Sequence, residues 1–254
     1  MLAEERRMKI LEMLEEKQSV TTSELSQELN VSEMTIRRDL DYLDKTFALK
    51  RTYGGAVSKF STNGTPLLAL RLHIHAEEKK RIAKRAAQMV KDGESIFLDA
   101  SSTCYYFAQE LKRFSNLTVI TNSPYLTSEF MLCPTIQVIC LGGMLRHSTG
   151  SLVGPETEEF LLKLHADKLF IAVKGISFES GLTENDPAEA QVKRNKIRVS
   201  SEVVLLSDYS KFGKVGLIQV APLESVTYVV TDDKVPPEYI EGLQKRSIEV
   251  IVAR

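Results

Sequence analysis

The chain has 254 residues, 43% of them hydrophobic and 26% charged, with a formal net charge of -1. That composition is ordinary for globular proteins and excludes a disordered or disulfide-stapled polypeptide. The near-neutral balance means that any grip on nucleic acid has to come from local basic patches.

In residues 2–16, Ile10, Leu11 and Leu14 fall on one helical face. Thr21 and Glu24 form a capping-box signal for a short helix to Leu29. Asn30-Val31 reads as a tight turn and Ser32 as the N-cap of the next helix, in which Ile36, Leu40 and Leu43 face inward together. Two extended pieces, 48–53 and 56–58, follow and are joined through Gly54-Gly55, a hairpin signal. Residues 1–58 are thus expected to form a winged helix-turn-helix. The polar run from Ser61 to Pro66 marks a linker over 59–70.

Residues 71–254 change rhythm. Apolar runs of strand length recur at 95–98, 118–120, 137–141, 168–173, 202–206, 226–230 and 248–252. Helix-like segments separate most of them, at 77–90, 105–112, 156–164, 188–199 and 237–245. This alternation predicts an α/β fold, a mostly parallel, Rossmann-like sheet covered by helices.

In the second helix of the helix-turn-helix, the inward stripe leaves Thr35, Arg37 and Arg38 outward near the N-terminal end, where such a helix meets base edges and phosphates. Thr21, Thr22 and Ser32 at helix starts, and Lys50 and Arg51 on the wing, complete the candidate DNA contacts. Residues 1–58 nevertheless hold nine basic against eleven acidic residues, so spacing alone leaves a protein-docking module open. The residues Val31-Ser32-Glu33-Met34-Thr35-Ile36-Arg37-Arg38-Asp39-Leu40, then Leu49-Lys50-Arg51 and Gly54-Gly55-Ala56, closely resemble the signature of DeoR-type bacterial regulators. The resemblance continues through the C-terminal half. It implies double-stranded operator DNA as a partner, repression of a carbohydrate operon, and a homo-oligomer, dimer or tetramer.

Ligands of open α/β sheets bind outside the carboxyl ends of the strands. Polar clusters follow the expected strands there: Asp99 with Ser101, Ser102 and Thr103; Thr121 and Asn122; Gly142 and Gly143; Lys174 with Gly175; Asp208 and Lys211. Hydroxyls and N–H groups at a helix start suit an oxygen-rich anion, Lys211 offers a cation, and Asp99 and Asp208 can accept from sugar hydroxyls. The resemblance implies a sensor domain similar to ribose-5-phosphate isomerase and a phosphorylated sugar or related metabolite as effector. Ser101 departs from the glycine usual in the family's phosphate loop, and Lys174 from a small or amide residue.

The competing reading is a sugar-phosphate isomerase or deaminase carrying an extra module, with Asp99, Asp208, Glu184 or His147 as base. A pure adaptor is the third. No catalytic residue, cofactor or metal site is expected; His73-x-His75 lacks a third ligand. No apolar run reaches the ~20 residues that span a bilayer, and the opening MLAEERRMKI is charged where a secretion signal is apolar. A cytoplasmic location without a membrane partner is expected, with Cys104, Cys133 and Cys140 reduced.

Overall fold

The computed structural model describes residues 1–17, 19–45, 49–58 and 68–254. They form two compact units, Met1–Ile74 and His75–Arg254.

The first unit comprises α1 (Ala3–Lys17), β1 (Ser19–Thr21), α2 (Thr22–Glu28), α3 (Glu33–Lys45), β2 (Leu49–Thr52), β3 (Gly55–Ser58) and α4 (Leu68–His73). Its core joins Ile10, Leu11 and Leu14 of α1 to Leu25 of α2 and Ile36, Leu40 and Leu43 of α3, with Val20, Leu49 and Ala56 from the strands. The helix starts follow from side-chain caps. Thr21 Oγ1 accepts the Glu24 N–H at 3.1 Å, and Ser32 Oγ accepts the Thr35 N–H at 3.2 Å. Asn30, at φ 50°, makes the turn between α2 and α3.

Two features depart from expectation. Strand β1, too short to show a period, pairs antiparallel with β3 and gives a three-stranded sheet in the order β1-β3-β2. Gly55 also belongs to β3 and not to the turn, because Thr52 pairs with Gly55 and the turn residues are Tyr53-Gly54. A Cβ on Gly55 would lie 2.0 Å from the Val20 carbonyl oxygen, so β1 can approach β3 only past a bare backbone. Of the expected linker 59–70, residues 59–67 lie outside the described residues and 68–70 open α4; Ala48, at the start of the expected wing, also lies outside them.

The second unit comprises α5 (Ala76–Ala86), β4 (Ser95–Leu98), α6 (Ser102–Leu111), β5 (Leu117–Thr121), α7 (Pro124–Glu129), β6 (Ile136–Cys140), β7 (Met144–Arg146), β8 (Ser151–Val153), α8 (Pro155–Leu161), β9 (Ala166–Ile171), β10 (Gly175–Ser177), β11 (Gly181–Glu184), α9 (Pro187–Arg198), β12 (Ser200–Leu206), β13 (Ile218–Ala221), β14 (Tyr228–Asp232), α10 (Pro237–Gln244) and β15 (Glu249–Ala253). A seven-stranded sheet runs β15-β14-β12-β9-β4-β5-β6, and every adjacent pair is parallel. These are the seven strands expected from the apolar runs, with ends shifted by at most two residues.

Strand side chains alternate between two cores, as a period of two requires. Phe97, Ile120, Leu169, Ile171 and Leu205 pack with Leu161 of α8, Ala190 of α9 and Leu243 of α10. Ile96, Leu98, Val119, Phe170 and Val204 pack with Ile82 of α5, Phe107 of α6 and Leu126 of α7. Burial on both faces is why these strands read as unbroken apolar runs. The β7–β8 hairpin and the antiparallel β10-β11-β13 sheet were not expected, since strands of three or four residues carry too little pattern. Helix α7 was not among the expected helices either. Ser123 caps it, and Pro124 occupies its first turn, where a fixed φ favours the helix.

Replacing Gly55 with Ala should destabilise the first unit by about 1–3 kcal/mol, the usual range for overpacking. Urea unfolding followed by circular dichroism measures it, and an unchanged midpoint would contradict the close β1–β3 approach.

Candidate functional site

At the N-terminal end, the buried stripe of α3 leaves Arg37 and Arg38 exposed and Thr35 half-buried. Arg37 reaches Glu33 one turn back at 3.3 Å, a pair so exposed that it contributes little. Lys50, Thr21 and Ser32 are exposed, and Thr21 and Ser32 both serve as caps. Thr22 is buried just inside α2, its N–H donating to the Gly54 carbonyl at 2.8 Å. Arg51 is taken up within the unit. It donates to the Arg37 carbonyl at 3.0 Å and pairs with Asp41 at 3.1 Å, tying the hairpin to α3.

Asp39 was missed as a functional residue. Its side chain is 2% exposed and bridges Arg6 Nε at 2.5 Å and Arg7 Nε at 2.9 Å, while the Arg7 guanidinium lies 3.7 Å from the Tyr42 ring centre. Charge-assisted bonds to two arginines of α1 fix the position of α3. The signal was present: three residues after Ile36, Asp39 falls on the inward stripe.

In the second unit, the chain proceeds from β4 through β5 to β6 on one side, and β9, β12, β14 and β15 continue on the other. The order therefore reverses between β4 and β9, the place where open α/β sheets hold ligands. Asp99 stands at the end of β4 and is buried. It accepts from Lys196 Nζ at 2.7 Å and from Lys193 Nζ. Lys193 also donates to the Ala172 carbonyl, just beyond β9, at 2.6 Å. Lys196 reaches Asn122 Oδ1 at 2.7 Å, and Asn122 Nδ2 donates to the Leu152 carbonyl at 2.8 Å. Glu184 lies 3.5 Å from Lys193.

These contacts set the ionisation states. Burial alone would raise the Asp99 carboxyl, but the two ammonium groups hold it far below the usual carboxylate range. Burial would lower Lys193, yet Asp99, Glu184 and Glu189 hold it above its ordinary value. Glu184 is raised, because burial outweighs the attraction of Lys193 and Lys174. Cys104 is pushed up to about 12 by burial and by the Asp99 charge, an inert thiol.

Ser101 caps α6, accepting the Cys104 N–H at 3.0 Å, and Ser102 and Thr103 are buried in its first turn. Thr121 is buried and accepts the Ser123 N–H at 3.2 Å. The glycine pair serves the fold as much as any ligand: Gly143 holds φ +137°, and a Cβ there would meet Thr157 Oγ1 at 2.0 Å. The Gly142 carbonyl accepts from that same hydroxyl at 2.5 Å. Lys174 is half-buried and its N–H donates to the Thr183 carbonyl at 3.0 Å. His147 is exposed.

Asp208 and Lys211 belong to a second cluster, beyond β12. Asp208 accepts the Ser210 N–H at 3.0 Å. Burial would raise its carboxyl, but Lys211, Lys79, the Ser210 hydrogen bond and His75 hold it at about 2. Neighbouring Asp232 accepts the N–H groups of Tyr209 at 2.8 Å and Lys234 at 2.9 Å. Lys234 reaches Glu78 at 2.6 Å, and the His75 ring packs edge-on against Tyr209 with centres 5.1 Å apart.

Lys193, Lys196 and Lys79 were missed by sequence reading. Lys193 lies between Ala190 and Ile197 on α9, and Lys79 precedes Ile82, Ala83 and Ala86 on α5. A lysine where the helical period demands an apolar residue was the available signal.

A family model described as the DeoR C-terminal sensor domain matches residues 74–233, and one described as a DeoR-like helix-turn-helix domain matches residues 6–62. The HTH-type transcriptional regulator GolR of Listeria innocua is 35% identical over 98% of this chain and 98% of its own. The uncharacterised HTH-type transcriptional regulator YulB of Bacillus subtilis is 36% identical over 98% and 96%. The glycerol-3-phosphate regulon repressor of Escherichia coli K12 is 32% identical over 95% of each. Among solved structures, ribose-5-phosphate isomerase A of Methanocaldococcus jannaschii aligns over 54% of this chain and 55% of its own, at 20% identity and a TM-score of 0.40. Among the described residues, no helix is long and apolar enough to cross a membrane.

The depressed carboxyl of Asp208 fixes an acid response. Its unfolded value is about 3.9, so the ionised form stabilises the fold above about pH 4, and this contribution is lost as pH falls toward about 2. Unfolding curves taken between pH 5 and 2 should therefore show a shallower acid decline for Asp208→Asn than for the wild type. Parallel declines would show that the carboxyl is not held down.

Proposed function

The chain belongs to the DeoR family of helix-turn-helix transcription regulators, and on that premise we propose that it represses a carbohydrate-utilisation operon and is released by a phosphorylated sugar or a related metabolite. The observation that supports the effector half is that Asp99, Ser101–Thr103, Asn122 and Lys174 in one cluster, and Asp208 and Lys211 in a second, all follow strands at the carboxyl edge of one parallel sheet. The start of α6 suits an anion. The carboxylates of Asp99 and Asp208 stay ionised at neutral pH and suit hydroxyl donors. The name of the E. coli relative, a glycerol-3-phosphate regulon repressor, supports a small phosphate ester as the class.

In the DNA-reading half, residues 1–58 present Thr21, Ser32, Thr35, Arg37, Arg38 and Lys50 to the duplex. Thr22 and Arg51, fixed inside the unit, position the helix start and the hairpin. Residues 71–254 sense the effector and associate as a dimer or tetramer, so that paired winged helices meet paired half-sites. Effector binding favours an arrangement whose spacing no longer fits the operator.

Replacing Arg37 and Arg38 together with Ala should weaken operator binding by about 1–3 kcal/mol for each of the two arginines that reads a base. Fluorescence anisotropy at moderate salt measures this, and an unchanged affinity would remove α3 as the reader. A thermal-shift panel of sugar phosphates should find the effector, since a ligand at 100 times its Kd stabilises by about 2.7 kcal/mol. Lys211→Ala should blunt effector-driven release while sparing operator affinity; an unaltered release curve would take Lys211 out of the site.

A further inference from the structure

We propose that Tyr53, at the tip of the β2–β3 hairpin, packs its ring into the minor groove beside the major groove that α3 enters, and so contributes affinity that does not depend on charge. This rests on the DNA-binding reading above. Tyr53 is 110% exposed, so the ring projects past the hairpin and nothing among the described residues of its unit packs on it. An aromatic ring so placed adds no core, and Tyr is not among the residues that two-residue hairpin turns select.

The neighbouring glycines separate what the fold needs from what it does not. Gly55 is demanded by the Val20 backbone. A Cβ on Gly54 would meet nothing within 4 Å, and Gly54 does not take a positive φ. The fold therefore explains neither Tyr53 nor the bare backbone beside it. Close approach of the tip to an outside surface explains both, because a missing side chain lets the turn descend while the ring enters. The minor groove is about 6 Å wide, which admits a ring edge-on, and proteins that read this groove insert apolar groups there.

The tip is also held in place. The Gly54 carbonyl accepts the Thr22 N–H at 2.8 Å, which fastens the turn to the start of α2. Arg51 fastens the same hairpin to α3 through Asp41 and the Arg37 carbonyl. Hairpin tip and reading helix are thus one braced constellation, and the backbone that carries the ring is ordered before DNA arrives. Ordering paid in advance is what lets one exposed side chain contribute to affinity.

The test uses the full chain and a duplex selected by the wild type from a randomised duplex library. Binding of the labelled duplex is measured at several salt concentrations for the wild type, Tyr53→Ala, Tyr53→Phe and the Arg37→Ala/Arg38→Ala double variant. Thermal melting checks that each variant folds, and Tyr53→Ala should melt with the wild type because its ring supports no core. Tyr53→Ala is expected to bind about tenfold more weakly, the equivalent of about 1.4 kcal/mol, with an unchanged salt slope because no cation is removed. Tyr53→Phe, which keeps the ring, should stay within about threefold of the wild type on the same scale.

Binding by Tyr53→Ala within about threefold of the wild type, while the double arginine variant fails, overturns the proposal and leaves the DNA-binding reading standing. A deficit in Tyr53→Phe equal to that in Tyr53→Ala also overturns it, because the hydroxyl and not the ring would then make the contact. If no duplex is selected, or the arginine variant binds as well as the wild type, the DNA-binding reading itself falls and this inference with it.

Discussion

The constraint on which the sensing unit turns is the burial of two ammonium groups and one carboxylate at the point where the sheet order reverses. Lys193 and Lys196 both bind Asp99, and between them they also engage the Ala172 carbonyl and Asn122. One helix is thereby bound to the ends of β4, β5 and β9 together. Burying such charges costs several kcal/mol per ion, and a well-packed apolar set of similar volume is often at least as stable, so ~0 net gain is the fair expectation. Stability alone is therefore a poor account of the triad. It does hold a carboxylate ionised, oriented and out of bulk water, which an apolar core would not provide.

The first unit repeats the device on a smaller scale. Asp39 is a carboxylate on the core side of α3, bound by two arginines from α1. Here too the buried acid orients the element that faces outward. Arg6 and Arg7 count toward the basic total of the N-terminal segment; both point at Asp39, and Arg7 also lies over Tyr42. Arg51, expected among the DNA contacts, likewise braces the hairpin against the helix. The residues with room to meet DNA are then fewer than the basic count suggested, and they concentrate at the start of α3 and along the hairpin.

How much of this was legible depends on what each residue had to satisfy. Strands such as Phe97–Leu98 and Leu169–Ile171 are buried on both faces and wrote continuous apolar runs, so the whole seven-stranded sheet could be read. The capped helix starts at Thr21 and Ser32 were legible because caps use a few residue types at fixed offsets. Strands β1, β7 and β10 were not, since three residues hold no period and their pairing is set by distant partners. The polar loops were legible from their place after strands. Lys193 and Lys79 betray their burial only by standing where the helical period calls for an apolar residue, a signal easily taken for a solvated face until their partners are known.

Ser101 shows how local geometry settles a question that sequence left open. Backbone conformation would demand a glycine there only if the loop were left-handed. Ser101 instead takes φ -138° and ψ 160°, extended backbone that any residue adopts. Its β-carbon is therefore no obstacle to the loop, and its hydroxyl oxygen satisfies the Cys104 N–H at the start of α6. A hydroxyl that accepts from the helix can still donate its own hydrogen outward. The substitution thus removes one backbone N–H from the set that could meet an anion and supplies a side-chain donor beside it. The start of α6 thus keeps donors that suit an anion, in a geometry different from the one a glycine would leave.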